Sequence, residues 1–180
     1  MTARARVATA WLGGCSGCHM SFLDLDERLL DLARRMDLVF SPLVDAKEFP
    51  EGVEVALVEG AVANEDHLAL ARRIRARTRV LVALGDCAVT GNVTAIRNAL
   101  GGALPVLERS YRDPADLHAG IPAEPGILPR LLDRVLPLHQ VVRVDLWLPG
   151  CPPSAEIIGA ALEDLLAGRA PDLAGKLRFG

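Results

Sequence analysis

Apolar positions recur along this chain with two different periods, and the two alternate. Residues 6–12 (Arg-Val-Ala-Thr-Ala-Trp-Leu) form a short, mostly apolar run that closes on Gly13-Gly14. The run is too short for a helix and ends on a breaker, so it predicts a buried first strand. From 21 to 36 the period lengthens. Phe22, Leu25, Leu29, Leu32, Ala33 and Met36 fall at three- and four-residue steps, with Asp24, Asp26, Glu27, Arg28 and Asp31 on the other side. With Ser21 and Asp24 spaced as a capping box, that predicts one amphipathic helix. Residues 37–41, stopped by Pro42, and Val53–Glu59, ended by Gly60, predict the second and third strands. Asn64 then caps a helix with Glu65 and Asp66 in its first turn and Arg72, Arg73, Arg75, Arg77 and Arg79 towards its end. Acid at the start and base at the end both complement the helix dipole.

The rest of the chain alternates less cleanly. Residues 80–84 predict a fourth strand running into Gly85-Asp86-Cys87, and Asn92–Leu100 a short helix stopped by Gly101-Gly102. The stretch 103–126 carries Pro105, Pro114, Pro122 and Pro125 and shows no period, which predicts a long irregular insertion used as a contact surface. Residues 127–136 predict a helix and 141–148 a fifth strand. Ser154 caps a last helix with Ile157, Ile158, Ala161, Leu162, Leu165 and Leu166 on its apolar side and Gly168 as its stop. Strands alternating with helices predict a single domain over 1–180, an α/β, flavodoxin-like doubly wound parallel sheet of five strands in the order 2-1-3-4-5.

Composition narrows what such a domain does. Its 180 residues suit one core, and 51% hydrophobic content with a mean hydropathy of +0.25 fits a sheet buried on both faces. A net charge of −3 offers nothing to a nucleic acid, and 4% aromatic residues leave little for a ring-lined pocket. No stretch is long and apolar enough for a membrane span, and residues 7–12 are too short for a signal core, so a cytoplasmic protein is expected.

The four cysteines carry the chemistry. Cys15 and Cys18 follow the first predicted strand, Cys87 the fourth and Cys151 the fifth. In a parallel sheet these strand ends share one edge, where doubly wound folds bind ligands, so four thiols scattered along the sequence converge. Gly14, Gly17, Gly85 and Gly150 beside them allow close backbone approach and expose N–H groups to sulfur. Glu59 and Gly60 end the strand between, where small residues would leave room for a bulky centre. One C-x-x-C followed by two distant single cysteines, the last before Pro152, suits an iron–sulfur centre. A closed zinc site and unligated redox thiols remain open on spacing alone.

Read together, Gly14-Cys15-Ser16-Gly17-Cys18, Val58-Glu59-Gly60, Gly85-Asp86-Cys87-Ala88-Val89-Thr90-Gly91 and Pro149-Gly150-Cys151-Pro152-Pro153 resemble the small subunit of [NiFe] hydrogenases, in the order that family has them. The resemblance implies that Cys15, Cys18, Cys87 and Cys151 bind the proximal [4Fe–4S] cluster, beside a nickel–iron site in a large partner subunit. It implies no catalytic residue in this chain. The chain lacks the further cysteines of respiratory-type small subunits and is similar to the cytoplasmic bidirectional type, in which iron–sulfur and flavin diaphorase subunits carry electrons to NAD(P). Gly14 and Met20 stand where many respiratory-type relatives have carboxylates, which leaves this turn little equipment for a proton route. The related quinone oxidoreductase subunit has an adjacent cysteine pair, whereas Cys15 and Cys18 are separated. That subunit type and a zinc-stabilised interaction module are the alternative readings.

The flavodoxin-like shape also admits FMN as a secondary cofactor, although no Ser/Thr-rich phosphate loop follows the first strand. His19 is expected either to tune the cluster or to face a partner, Asp86 to form a turn, and Trp11 and Trp147 to serve core or interface. His67, His118 and His139 carry no assigned role.

Overall fold

The computed structural model describes residues 4–180. In chain order the elements are β1 (Ala5–Trp11), α1 (Gly17–Leu23), α2 (Arg28–Ala33), β2 (Met36–Phe40), β3 (Val53–Glu59), β4 (Val62–Asn64) and α3 (Glu65–Arg77). They continue with β5 (Thr78–Leu84), α4 (Gly85–Thr90), a 3-10 helix (Asn92–Leu100), α5 (Ala103–Tyr111), β6 (Leu131–Leu136), a 3-10 turn (Leu138–Gln140), β7 (Leu146–Leu148) and α6 (Ala155–Leu166). Five strands form one parallel sheet in the order β2-β1-β3-β5-β7, which is the expected doubly wound order. No helix among the described residues is long and apolar enough to cross a membrane.

Because side chains alternate across a strand, the two faces of the sheet read separately from the sequence. Val7, Val55, Leu57, Val82 and Leu84 point to one face and pack with Phe22 and Leu25 and with Ile158, Ala161 and Leu162 of α6. Ala8, Ala10, Ala56, Val58, Leu81 and Ala83 point to the other and meet Ala71 and Ile74 of α3, Phe49 and Leu138. The alanines let α3 lie close to its face. Each fully buried Leu or Ile contributes about 1.5–3 kcal/mol, so these two layers hold the strand ends, and whatever hangs on them, in fixed relation.

Several elements depart from the sequence reading. The single helix expected over 21–36 is two short ones, broken where Asp26 takes a positive φ of 49°. Ser21 does not cap. Its buried hydroxyl donates to the Pro153 carbonyl at 2.6 Å, tying α1 to the loop before α6. The insertion at 103–126 is not irregular throughout. It opens with α5, whose Pro105 sits in the first turn, where a missing N–H costs nothing.

The helix expected over 127–136 is a strand. Arg130 starts it by accepting the Glu65 N–H at its carbonyl, and β6 then pairs antiparallel with β4 in a second, two-stranded sheet. Leu131, Leu132, Val135 and Leu136 satisfy a helical period. Side chains from the preceding 3-10 helix satisfy the strand backbone instead: Asn98 bonds both the N–H and C=O of Val135, and Arg97 donates to the Leu132 carbonyl. The fifth strand of the sheet is only Leu146–Leu148, because Val141 and Val142 continue the turn out of Leu138–Gln140 and residues 143–145 form a corner.

Candidate metal centre

Three of the sheet's strands deliver the thiols. After β1 the chain turns through Ser16, held at φ 64°, and enters α1, which places Cys15 before the helix and Cys18 in its first turn. β5 passes directly into α4 at Gly85, so Cys87 sits in that helix's first turn. Cys151 follows β7 through Pro149-Gly150, and its bond to Pro152 is cis. All four line one cavity, together with Gly17, Glu59, Asp86, Gly150 and Pro152. Cys18 and Cys87 form its buried floor, and Cys15 and Cys151 its exposed rim.

Gly85 is where the cavity demands glycine. Its φ is +80°, and a Cβ there would stand 2.2 Å from the Cys18 sulfur. Gly60 has a different role from the one expected. With φ +89°, it makes room for the chain itself: a Cβ would lie 2.9 Å from backbone atoms of Gly13, which pairs with Ala61 through two hydrogen bonds. Gly14 lies behind the cavity, against Gly60 and Glu59. Gly17 gives its N–H to the Cys15 sulfur at 3.4 Å, the kind of donor expected of these glycines.

Asp86 does more than form a turn. Its carboxylate accepts the N–H of Gly150 at 2.7 Å and of Gly180 at 2.8 Å, while its own N–H donates to the Gly150 carbonyl at 2.9 Å. The loop bearing Cys151 is thereby clasped to the helix bearing Cys87. Glu59 performs the matching task for the C-x-x-C turn. Only 1% exposed, it accepts the backbone N–H of His19 at 3.0 Å and bonds His19 Nδ1 through the same oxygen. Nε2 of the ring lies 3.0 Å from the Thr9 hydroxyl, which donates to Ser41 at 2.8 Å. His19 is therefore neither a surface imidazole nor a group lining the cavity. It joins β1, β3 and α1 beneath the cavity.

Burial, and then the charge of Glu59 and of the other thiols, pushes the Cys18 thiol far above its ordinary range. Burial and the same kind of crowding raise Cys87. Four thiols and two carboxylates around one cavity cannot all carry charge without a cationic partner, and a bound metal reverses that logic by deprotonating its ligands outright. Among the described residues no three His, Cys, Asp or Glu side chains are gathered closely enough to grip one ion. What the four thiols share is a cavity, and all-sulfur donors around it suit an iron–sulfur core.

One neighbour escapes the sequence reading. Asn92 directs its amide Nδ2 at the Cys151 sulfur, 3.6 Å away. The available signal was a Gly-Asn pair ending the helix that carries Cys87. The other histidines lie apart: Nδ1 of His67 accepts the Ala63 N–H at 3.3 Å beside the Asn64 cap, and His139 packs on Trp147. Trp11, 47% exposed, and Met20, 59% exposed, flank the C-x-x-C turn.

Residues 15–165 match the family model described as the NADH ubiquinone oxidoreductase 20 kDa subunit. The chain is 40% identical over 174 residues to the delta subunit of the NAD-reducing hydrogenase HoxS of Cupriavidus necator, covering 94% of this chain and 82% of that one. It is 35% identical to a subunit of the F420-non-reducing hydrogenase of Methanothermobacter thermautotrophicus, over 96% of this chain but 57% of that protein's length. A crystal structure of an NAD+-reducing [NiFe]-hydrogenase in the H2-reduced state contains a chain that superposes with a TM-score of 0.92 at 44% identity, covering 99% of this chain and 100% of that one. A [NiFeSe]-hydrogenase chain from Dm. baculatum shares the fold at 20% identity, with a TM-score of 0.57 over 93% of this chain and 62% of that one.

Proposed function

Because the chain belongs to the NADH ubiquinone oxidoreductase 20 kDa subunit family, we propose that it is the electron-transfer small subunit of an NAD(P)-linked [NiFe] hydrogenase. In this reading Cys15, Cys18, Cys87 and Cys151 hold a proximal [4Fe–4S] cluster beside a nickel–iron site in a large partner subunit. The observation that carries it is the convergence of four thiols, from three strand ends of one sheet, on a single cavity. When bound, such a cluster supplies one-electron redox chemistry.

This chain's residues set the conditions for that chemistry. Glu59 fixes the turn of Cys15 and Cys18, Asp86 fixes the loop of Cys151, and the two buried thiols keep water from the floor. No side chain here is required as nucleophile or general base. H2 splitting belongs to the large subunit, and nicotinamide reduction to a diaphorase module with further iron–sulfur and flavin groups. The exposed rim of Cys15 and Cys151, with Trp11 and Met20 beside it, is the face offered to the large subunit. The turn after β1 is given to thiols, so FMN has no part in the proposal, and an NAD(P)-linked complex belongs in the cytoplasm.

The quinone oxidoreductase alternative is disfavoured by the separated Cys15 and Cys18 and by the two hydrogenase chains matched over most of their own lengths. The test is anaerobic recovery of the complex from its native cell, wild type and Cys151→Ser, with iron, sulfide and zinc analysis and EPR. The expected difference is about four irons and four sulfides per chain, lost together with H2-linked NAD(P) reduction. A colourless chain holding one zinc ion, or unchanged EPR and activity in the variant, would overturn the proposal.

A further inference from the structure

Among the described residues Asn92 supplies the one side-chain N–H directed at a cysteine sulfur, with Nδ2 3.6 Å from Sγ of Cys151. An amide oxygen in that place would face sulfur lone pairs, so the nitrogen is the stable occupant. The residue is held there at a backbone cost. Its φ is +38°, a region that asparagine tolerates better than other side chains but still rarely adopts. Gly91 before it is also left-handed, at +89°.

Local bonds lock this conformation. The Asn92 N–H donates to the Thr90 hydroxyl at 3.2 Å, that hydroxyl donates to the Asp86 carbonyl at 2.9 Å, and Thr94 closes the turn onto the Gly91 carbonyl at 2.5 Å. Asp86 in turn clasps Gly150, next to Cys151. A ring of interactions thus runs from Asp86 through Thr90 and Asn92 to Cys151 and back, and its one member aimed at sulfur is an amide donor. Strained backbone that persists because its surroundings over-determine it is typical of functional positions.

We infer that Asn92 sets the redox potential of this centre by donating its amide N–H to the Cys151 sulfur. The inference rests on the cluster reading above. Hydrogen bonds to cluster sulfurs are one of the means by which a protein sets such potentials. The donor stabilises negative charge on sulfur, and the reduced state carries more of it, so the bond favours reduction. Cys15 receives a backbone donor from Gly17, whereas the donor to Cys151 comes from a side chain and is open to replacement.

Two variants isolate the effect. Asn92→Gly keeps the left-handed backbone without strain and removes only the donor. Asn92→Asp keeps the shape and puts a carboxylate against the sulfur. EPR-monitored potentiometric titration of the assembled complex is the readout, with iron and sulfide analysis alongside. At a fixed solution potential the reduced-to-oxidised ratio should fall about tenfold in Asn92→Gly, about 59 mV for a one-electron couple, and further in Asn92→Asp. A wild-type midpoint in both loaded variants overturns the inference, as does loss of the cluster from both, which would make Asn92 structural only. A wild-type complex without iron in this chain would instead overturn the cluster reading, so the two failures are separable.

Discussion

Replacing Gly85 by alanine creates a conflict whose size follows from the geometry of the cavity. The new Cβ would stand 2.2 Å from the Cys18 sulfur, against an ordinary non-bonded separation of about 3.5–4.0 Å. The sulfur or the start of α4 must therefore recede by about 1.3–1.8 Å. Metal–ligand distances tolerate only about 0.2 Å, so Cys18 and Cys87 can no longer serve one core. The substitution also forces an L-residue into φ +80°, which costs about 1–2 kcal/mol by itself. Gly101→Ala separates the two effects, because Gly101 has φ +84° and nothing within 4 Å of its missing Cβ. Gly101→Ala should lose about 1–2 kcal/mol of stability, a few degrees in Tm for a chain of this size, and Gly85→Ala more than that because it adds the clash. Only Gly85→Ala should lose iron, sulfide and the EPR signal. A fully loaded Gly85→Ala with a wild-type spectrum, or equal iron loss in Gly101→Ala, would refute the shared-cavity geometry.

Two further outcomes follow from carboxylates that tie distant segments together. Glu59→Ala strands the His19 backbone N–H and ring without an acceptor and should destabilise the cluster-free chain by about 2–4 kcal/mol. Glu59→Gln, which keeps an oxygen, should recover part of this; denaturant midpoints equal to wild type in both would remove Glu59 from its supporting role. Asp145, at the corner before β7, accepts from the Leu81 N–H and from Arg75. Although burial pushes its carboxyl up, those bonds and the charges of Arg75 and Arg143 hold it below the usual carboxylate range. A folded-state value below the unfolded one adds stability above about pH 4 that is lost as pH falls through the folded value. Asp145→Asn should therefore be less stable than wild type at pH 7 by about 0.5–1 kcal/mol, solvent screening at this exposed corner keeping the effect small, with the gap closing in acid; a gap constant from pH 7 to pH 3 would sink this assignment.

The sheet and its order were legible because buried parallel strands write themselves as short apolar runs, and Val53–Glu59 matches the structure residue for residue. The convergence of the cysteines was legible for the same reason, since topology alone brings strand ends to one edge. What escaped depends on partners distant in sequence. Leu131–Leu136 has a helical period, and only Asn98, Arg97 and β4 make it a strand. Gly60 reads as a small residue leaving room for a bulky centre, and only the fold shows that the backbone of Gly13 takes that room. His19 reads as a neighbour of a ligand, and its burial against Glu59 and Thr9 appears only once β1 and β3 lie side by side. Asn92 belongs to no periodic pattern, because its position is set by two successive left-handed residues, Gly91 and Asn92 itself.

The shortness of β7 bears on how such a centre is put together. Cys15, Cys18 and Cys87 hang on β1 and β5, long strands with neighbours on both sides, whereas Cys151 follows three residues at the sheet's edge, paired to β5 alone. Short edge elements open at far lower free energy than a sheet's interior. The fourth thiol therefore owes its position less to strand pairing than to the Asp86 clasp on Gly150 and the Ser21 bond to Pro153. A centre bound by all four thiols would therefore also fasten the sheet's shortest strand to its interior.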